Sequence, residues 1–341
     1  MYCNNCGTKL PDNAKYCHNC GSEFINNEPI QNDFIYTPEV IESNNKETVV
    51  EIEVDGSKKI AVWSIIVYAS IFYILSQFLS SFIISIYCII KDIPILEVDD
   101  IASYLLTYYP KDYYNILAIS NLVCYLPILI TLVLISIRIF GHDLKKIKNH
   151  VGRFFANFGI GFAILYGASL ASSIVVTILI EIYNLILINS PALLESFGAI
   201  ESVTSGNQET INNMVTSGIL PFITMVFVTV IAAPIVEELV FRKSFFALSK
   251  KKGIACILIS GLIFGSIHVA ESVLVEVMGL IQNIDGYSIT NIIIEFINLI
   301  SYVASGIAFG FIYKISNYNI WVTILIHATY NLMGFFALFL V

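Results

Sequence analysis

Residues 219–249 read ILPFITMVFVTVIAAPIVEELVFRKSFFALS. The run exceeds the roughly 20 residues a bilayer-crossing helix needs, yet it holds adjacent Glu237 and Glu238, with Arg242 four positions further on. Charge at membrane depth is costly, so residues that carry it are functional candidates by default. Working outward, apolar runs of similar length recur at 60–90, 114–140, 154–180, 254–269, 292–315 and 320–341. With 219–249 they make seven expected spans, and a short or interfacial eighth helix is expected in 272–281 or around 190–206. The 341-residue chain is 57% hydrophobic and only 13% charged, where soluble domains are nearer about a quarter charged. A soluble protein is excluded, and the expected class is an all-α polytopic membrane protein with a small N-terminal β-type zinc ribbon.

That ribbon is read from residues 1–24, MYCNNCGTKLPDNAKYCHNCGSEF. Cys3, Cys6, Cys17 and Cys20 form two C-x-x-C pairs, each followed by Gly (Gly7 and Gly21). Four thiolates so spaced suit tetrahedral zinc, and a glycine after the second ligand of each pair accepts the left-handed backbone of the tight turn. The competing reading, two short-range disulfides, is disfavoured in a reducing cytosol. Cys88, Cys124 and Cys256 stand singly in apolar runs, as inert packing residues do. Residues 25–57, rich in Asn and Glu, are expected to be an acidic flexible linker. The net charge of −8 comes from 26 acidic and 18 basic residues, of which residues 1–57 hold 10 and 3. The remainder is close to neutral, and no basic face offers itself to nucleic acid. No secretory signal opens the chain, because Met1 leads directly into the polar Cys-rich segment.

Lys and Arg set the orientation. Lys58, Lys59, Arg138, Lys145, Lys146, Lys148, Arg153, Arg242, Lys243, Lys250 to Lys252 and Lys314 fall at alternate connections, whereas the opposite side holds only Lys91 and Lys111. The positive-inside rule puts the ribbon and N-terminus in the cytoplasm and the C-terminus outside the cell membrane.

Titratable and amide groups inside the runs come in spaced pairs: Glu238 with Arg242, Phe264 with His268, and His327 with Asn331. Residues four apart share a helical face. Glu237 and Glu238 point about 100° apart and are not expected to share a partner readily, so Glu238 is assigned to an ion pair with Arg242 and Glu237 is left to face elsewhere. The fourth and fifth spans form a hairpin about Lys252 and Gly253. Glu237 and His268 each lie about 15 positions from that turn, roughly 22 Å at 1.5 Å per residue, so they are expected at one depth. Glu295 adds a carboxylate near the outer end of the sixth span. A carboxylate, two imidazoles and an amide converging in a bilayer supply a base for water, a partner for that base and donors for an oxyanion. The alternative is polar residues that hold helices together or line a transport path.

The order E-E-x-x-x-R, F-x-x-x-H and H-x-x-x-N over about residues 215–341 resembles the CAAX prenyl endopeptidase and bacteriocin-processing family of intramembrane proteases, known as CPBP or Abi. The resemblance implies a bacterial-type protease in which Glu237 polarises a water with His268 while His327 and Asn331 bind the developing oxyanion, supported by Glu238, Arg242 and Phe264. Family members are described both as metalloproteases and as metal-free glutamic proteases. Glu237, His268 and His327 could be three ligands to zinc, and the metal-free version is favoured here because one poised carboxylate and an Asn donor suffice. Zinc is then expected in the ribbon alone. Relatives with prenylated substrates are usually given eight spans, against seven here, and nothing in the sequence indicates a prenyl group. The expected substrate is a peptide or membrane-protein tail in the lipid bilayer. A cytosolic partner is expected for the ribbon, and the alternative functions are a non-catalytic immunity or scaffold protein and a transporter.

Overall fold

The computed structural model describes residues 47–93, 101–200, 204–249, 253–282, 284 and 286–338. The Cys3, Cys6, Cys17 and Cys20 set and the first part of the linker lie outside them. The chain divides into two units, Met1–Glu47 and Thr48–Val341, and the helical domain is the second. Among the described residues its regular secondary structure is all helix with no strand, and seven helices are long and apolar enough to cross a membrane. They are Lys58–Ile90, Pro110–Asn149, Val151–Ile188, Ile219–Leu248, Ile254–Ile281, Ile289–Ile315 and Ile320–Ala337, numbered below as the first to seventh spans. This is an all-α, multi-pass membrane protein.

Several boundaries differ from the sequence expectation. The helix leading into the first span begins at Glu47, within the stretch expected to be linker, because a helix nucleated by an apolar span propagates into a neighbouring Val- and Glu-rich segment at little cost. Residues 272–281 do not form a separate helix but complete the fifth span, Ile254–Ile281. Short helices do occur at Pro191–Phe197 and Gly206–Ser217, between the third and fourth spans. The second span, at 40 residues, is about 60 Å long, so its basic end projects past a hydrocarbon core of about 30 Å.

Small residues set the closest packing. A methyl group at Gly261 would lie 2.7 Å from the backbone nitrogen of Ile307, and one at Gly265 would lie 2.7 Å from that of Val303. Gly306 returns the approach, a methyl there falling 2.8 Å from the Gly261 carbonyl. The fifth and sixth spans therefore meet backbone to backbone, which is how helices associate where lipid removes the hydrophobic drive. The seventh span is held at its start by the second. Asp143 Oδ2 accepts from the Ile320 backbone N–H at 3.1 Å, Asn319 Nδ2 donates to the Asp143 carbonyl at 3.0 Å, and Trp321 Nε1 donates to the Phe140 carbonyl at 3.1 Å.

The fourth span is not a plain α-helix. Phe227–Ala232 and Glu238–Ser244 are π-helical, on either side of the short α segment Ala233–Glu237. Such segments widen the turn and are frequent at functional sites. In the first, the Ala233 N–H donates to Val228. The next residue in that register, Pro234, has no N–H, so the Thr229 carbonyl receives a donor from neither register. Asn331 of the seventh span supplies one, its Nδ2 donating to Thr229 at 2.7 Å. In the second segment the Phe245 N–H passes over Phe241 to reach Val240 and Arg242, and the Ser260 hydroxyl of the fifth span donates to the Phe241 carbonyl at 2.7 Å.

Candidate active site

Glu238 and Arg242 lie at the centre of the bundle, both fully buried. Arg242 Nε is 3.3 Å from Glu238 Oε2, and Nη1 donates to Ser260 Oγ at 3.0 Å. The guanidinium carbon sits 4.8 Å from the centre of the Phe264 ring and 5.5 Å from that of Phe309. Ring faces carry partial negative charge, and here they stand where water would otherwise solvate the cation.

His327 Nδ1 lies 3.1 Å from Glu238 Oε1. A carboxylate facing Arg242 is an acceptor, so Nδ1 is the donor. The far edge of the same ring, Nε2, lies 3.9 Å from Glu237 Oε2. The two glutamates thus share a partner, contrary to the expectation from their 100° divergence. An imidazole offers two nitrogens on opposite edges, and one ring bridges both carboxylates. His268 is set in a similar way: Nδ1 donates to the Phe264 carbonyl at 2.7 Å, and Nε2 lies 4.0 Å from Glu237 Oε2. Both rings are therefore anchored through Nδ1 with Nε2 turned to the same oxygen. Gaps of 3.9 and 4.0 Å exceed a direct hydrogen bond, and such polar separations are commonly bridged by water.

Of the residues singled out in the sequence, Glu237, His268 and His327 converge on one point, while Glu238, Arg242 and Phe264 form the layer beneath. Phe264 is the hub, with ring centres 5.6 Å from Phe241, 4.5 Å from His268, 6.2 Å from Phe309 and 6.2 Å from His327. Asn331 points one amide N–H at Thr229, which leaves the second N–H available. Glu295 stands apart: its Oε1 accepts from the Gly206 N–H at 2.6 Å. Sequence reasoning missed Tyr302, whose ring stacks on His268 at 4.8 Å and 22°, and Phe309, 4.5 Å from His327. It also missed Asp143, although an acid amid the basic residues 138–153 was a visible signal. Among the described residues, no three of His, Cys, Asp and Glu are grouped so as to hold a metal ion.

Comparison with known proteins gives two matches. Residues 219–333 match the family of type II CAAX prenyl endopeptidases, Rce1-like, and residues 2–24 match a zinc-ribbon domain. No curated protein and no solved structure matches the chain. The first match contains every residue of the buried cluster and all of the last four spans except a few terminal residues. The last four spans are therefore similar to the Rce1-like type II CAAX prenyl endopeptidase family, and residues 2–24 to a zinc-ribbon domain.

Proposed function

We propose that the cluster is the active site of an intramembrane endopeptidase that hydrolyses a peptide bond in a membrane-associated peptide or protein tail. One observation carries the reading: two imidazoles, each anchored through Nδ1, turn Nε2 to the same oxygen of Glu237 from about 4 Å. A water in that gap gives one proton to Glu237 as its oxygen bonds to the carbonyl carbon. In neutral His268 the Nδ1 proton is spent on Phe264, so Nε2 accepts the other O–H and orients the water. The carbonyl oxygen becomes an oxyanion and meets N–H donors from His327 and from the second N–H of Asn331. For His327 to donate at Nε2 while Nδ1 donates to Glu238, the ring carries both protons, and Glu238 is its buried counter-charge. Collapse breaks the C–N bond, and the proton on Glu237 passes to the leaving amine. No step is routed through a metal, and a zinc-dependent version of the same protease, with Glu237, His268 and His327 as ligands, is the alternative.

The orientation with the N-terminus cytoplasmic rests on the distribution of Lys and Arg, and zinc in the ribbon on the four cysteines. A cytosolic partner for the ribbon is a further proposal. A non-catalytic immunity or scaffold role draws on the interhelical ties of Asn331 to Thr229 and Ser260 to Phe241. To separate the readings, the termini of membrane-associated peptides and proteins are compared between wild type and Glu237→Gln at matched expression. A discrete set of uncleaved precursors in the variant supports the protease; coincident profiles sink it and leave the scaffold reading.

A further inference from the structure

His268 is anchored at one edge only. Its Nδ1 bond to Phe264 fixes where one nitrogen sits, but a ring pinned at one atom can still turn about that contact and carry Nε2 off Glu237. Two aromatic rings limit the turning. Phe264 is tilted at 43°, whereas Tyr302 of the sixth span lies nearly parallel, at 22° and 4.8 Å. The stacking distance is set by the backbone, because Gly265, three residues before His268, packs against Val303, next to Tyr302.

The other end of Tyr302 is also held. Its hydroxyl lies 2.9 Å from Ser205 Oγ and accepts from Asn207 Nδ2 at 3.3 Å. Ser205 caps the short helix Gly206–Ser217, its Oγ accepting from the Gln208 N–H at 3.3 Å. Glu295, two turns before Tyr302 on the sixth span, takes the Gly206 N–H at 2.6 Å, where a carboxylate also answers the positive end of the helix dipole. The start of this helix is thus moored to one face of the sixth span at two points, and one of those points is the ring that stacks on His268. Ser205 and Asn207 precede the segment that matches the family, so this mooring is supplied by a part of the chain outside it.

We propose that Tyr302 is a positioning residue for His268 and carries the state of the moored helix Gly206–Ser217 to the imidazole. With the mooring intact, the stacked ring holds Nε2 toward Glu237; with the helix start released, Tyr302 loses both hydroxyl partners and His268 gains rotational freedom. The consequence for turnover rests on the hydrolysis reading above, while the consequence for the ring does not.

The test uses the full-length chain labelled with ¹⁵N-histidine in lipid nanodiscs, with the His268 signal identified by its loss in His268→Gln. Turnover is followed on a precursor peptide recovered from Glu237→Gln membranes. In wild type His268 is the Nδ1–H tautomer. Tyr302→Phe keeps the stack and loses the mooring: the Nδ1–H tautomer still predominates, a minor Nε2–H fraction appears and kcat falls a few-fold. Tyr302→Leu loses both, mixing the tautomers and lowering kcat by about tenfold or more, with KM within about twofold, as misplacement of a catalytic group does. Ser205→Ala with Asn207→Ala matches Tyr302→Phe and adds nothing to it, as expected for partners in one interaction. A wild-type His268 signal and kcat in Tyr302→Leu would overturn the proposal, and so would additive losses between Tyr302→Phe and the Ser205, Asn207 pair. Should Tyr302→Leu fail to accumulate, the Phe variant and the double alanine decide. If wild type cleaves no peptide, the hydrolysis reading falls and the histidine signal alone decides the positioning claim.

Discussion

Asp143 and Glu237 are both buried carboxylates near basic or imidazole groups, but their surroundings are built on opposite plans. Asp143 is fully buried and each oxygen is answered: Oδ1 by His142 at 3.3 Å and Lys146 at 3.7 Å, Oδ2 by the Ile320 N–H at 3.1 Å and Lys243 at 3.9 Å. It ties three spans together at the basic end of the bundle. Among the described residues Glu237 meets two imidazole edges, at 3.9 and 4.0 Å, while its neighbour Glu238 lies 3.3 Å from Arg242 Nε and 3.1 Å from His327 Nδ1. Asp143 is saturated by its neighbours, whereas the gaps around Glu237 leave room for another molecule.

Substitutions can break or sharpen this contrast. The largest effect is expected at Glu237→Gln, which should lower peptide turnover by about 10²- to 10⁴-fold, the range for loss of a general base, while the thermal midpoint in detergent stays within about 2 °C. A large fall in the midpoint would place Glu237 with Asp143 as a structural charge. Next comes Arg242→Met, which leaves Glu238 buried without its cation. Loss of one partner of a buried pair costs about 3–5 kcal/mol, measured as reduced resistance to denaturant, and unchanged stability would remove Arg242 from the supporting layer. Asp143→Asn keeps the shape but removes the charge facing Lys146 and Lys243, and should cost about 1–3 kcal/mol with turnover per folded molecule unchanged. The smallest is Ser260→Ala, which strips a partner from both Arg242 Nη1 and the Phe241 carbonyl and should cost about 1 kcal/mol in the same denaturation assay.

Much of the fold was legible because a span is a local property: twenty apolar residues in a row say the same thing in any tertiary setting. The depth match of Glu237 and His268 was legible too, because both are counted from one short basic turn. Less so was what the sequence must cross long distances to assemble. The His327 contact with Glu238 spans 89 positions and the Ser205 contact with Tyr302 spans 97, and no periodicity records either. The π segments were hidden as well, since their hydrogen-bond register leaves no mark in composition. One signal was present: Pro234 in the middle of an apolar run announces a missing N–H, and with it a carbonyl that some other residue must satisfy. Asn331 is that residue, which accounts for an amide in the seventh span on structural grounds alone.

The tie between Thr229 and Asn331 also bears on the order of biosynthesis. A chain entering the membrane from its N-terminus inserts the fourth span well before residue 331 leaves the ribosome, so the Thr229 carbonyl waits without its donor while the intervening spans are made. Over the same interval Glu237 and Glu238 wait for His327. Glu237 is therefore carried in an unfinished setting while the fifth and sixth spans are made, and the seventh span completes the backbone and the cluster together.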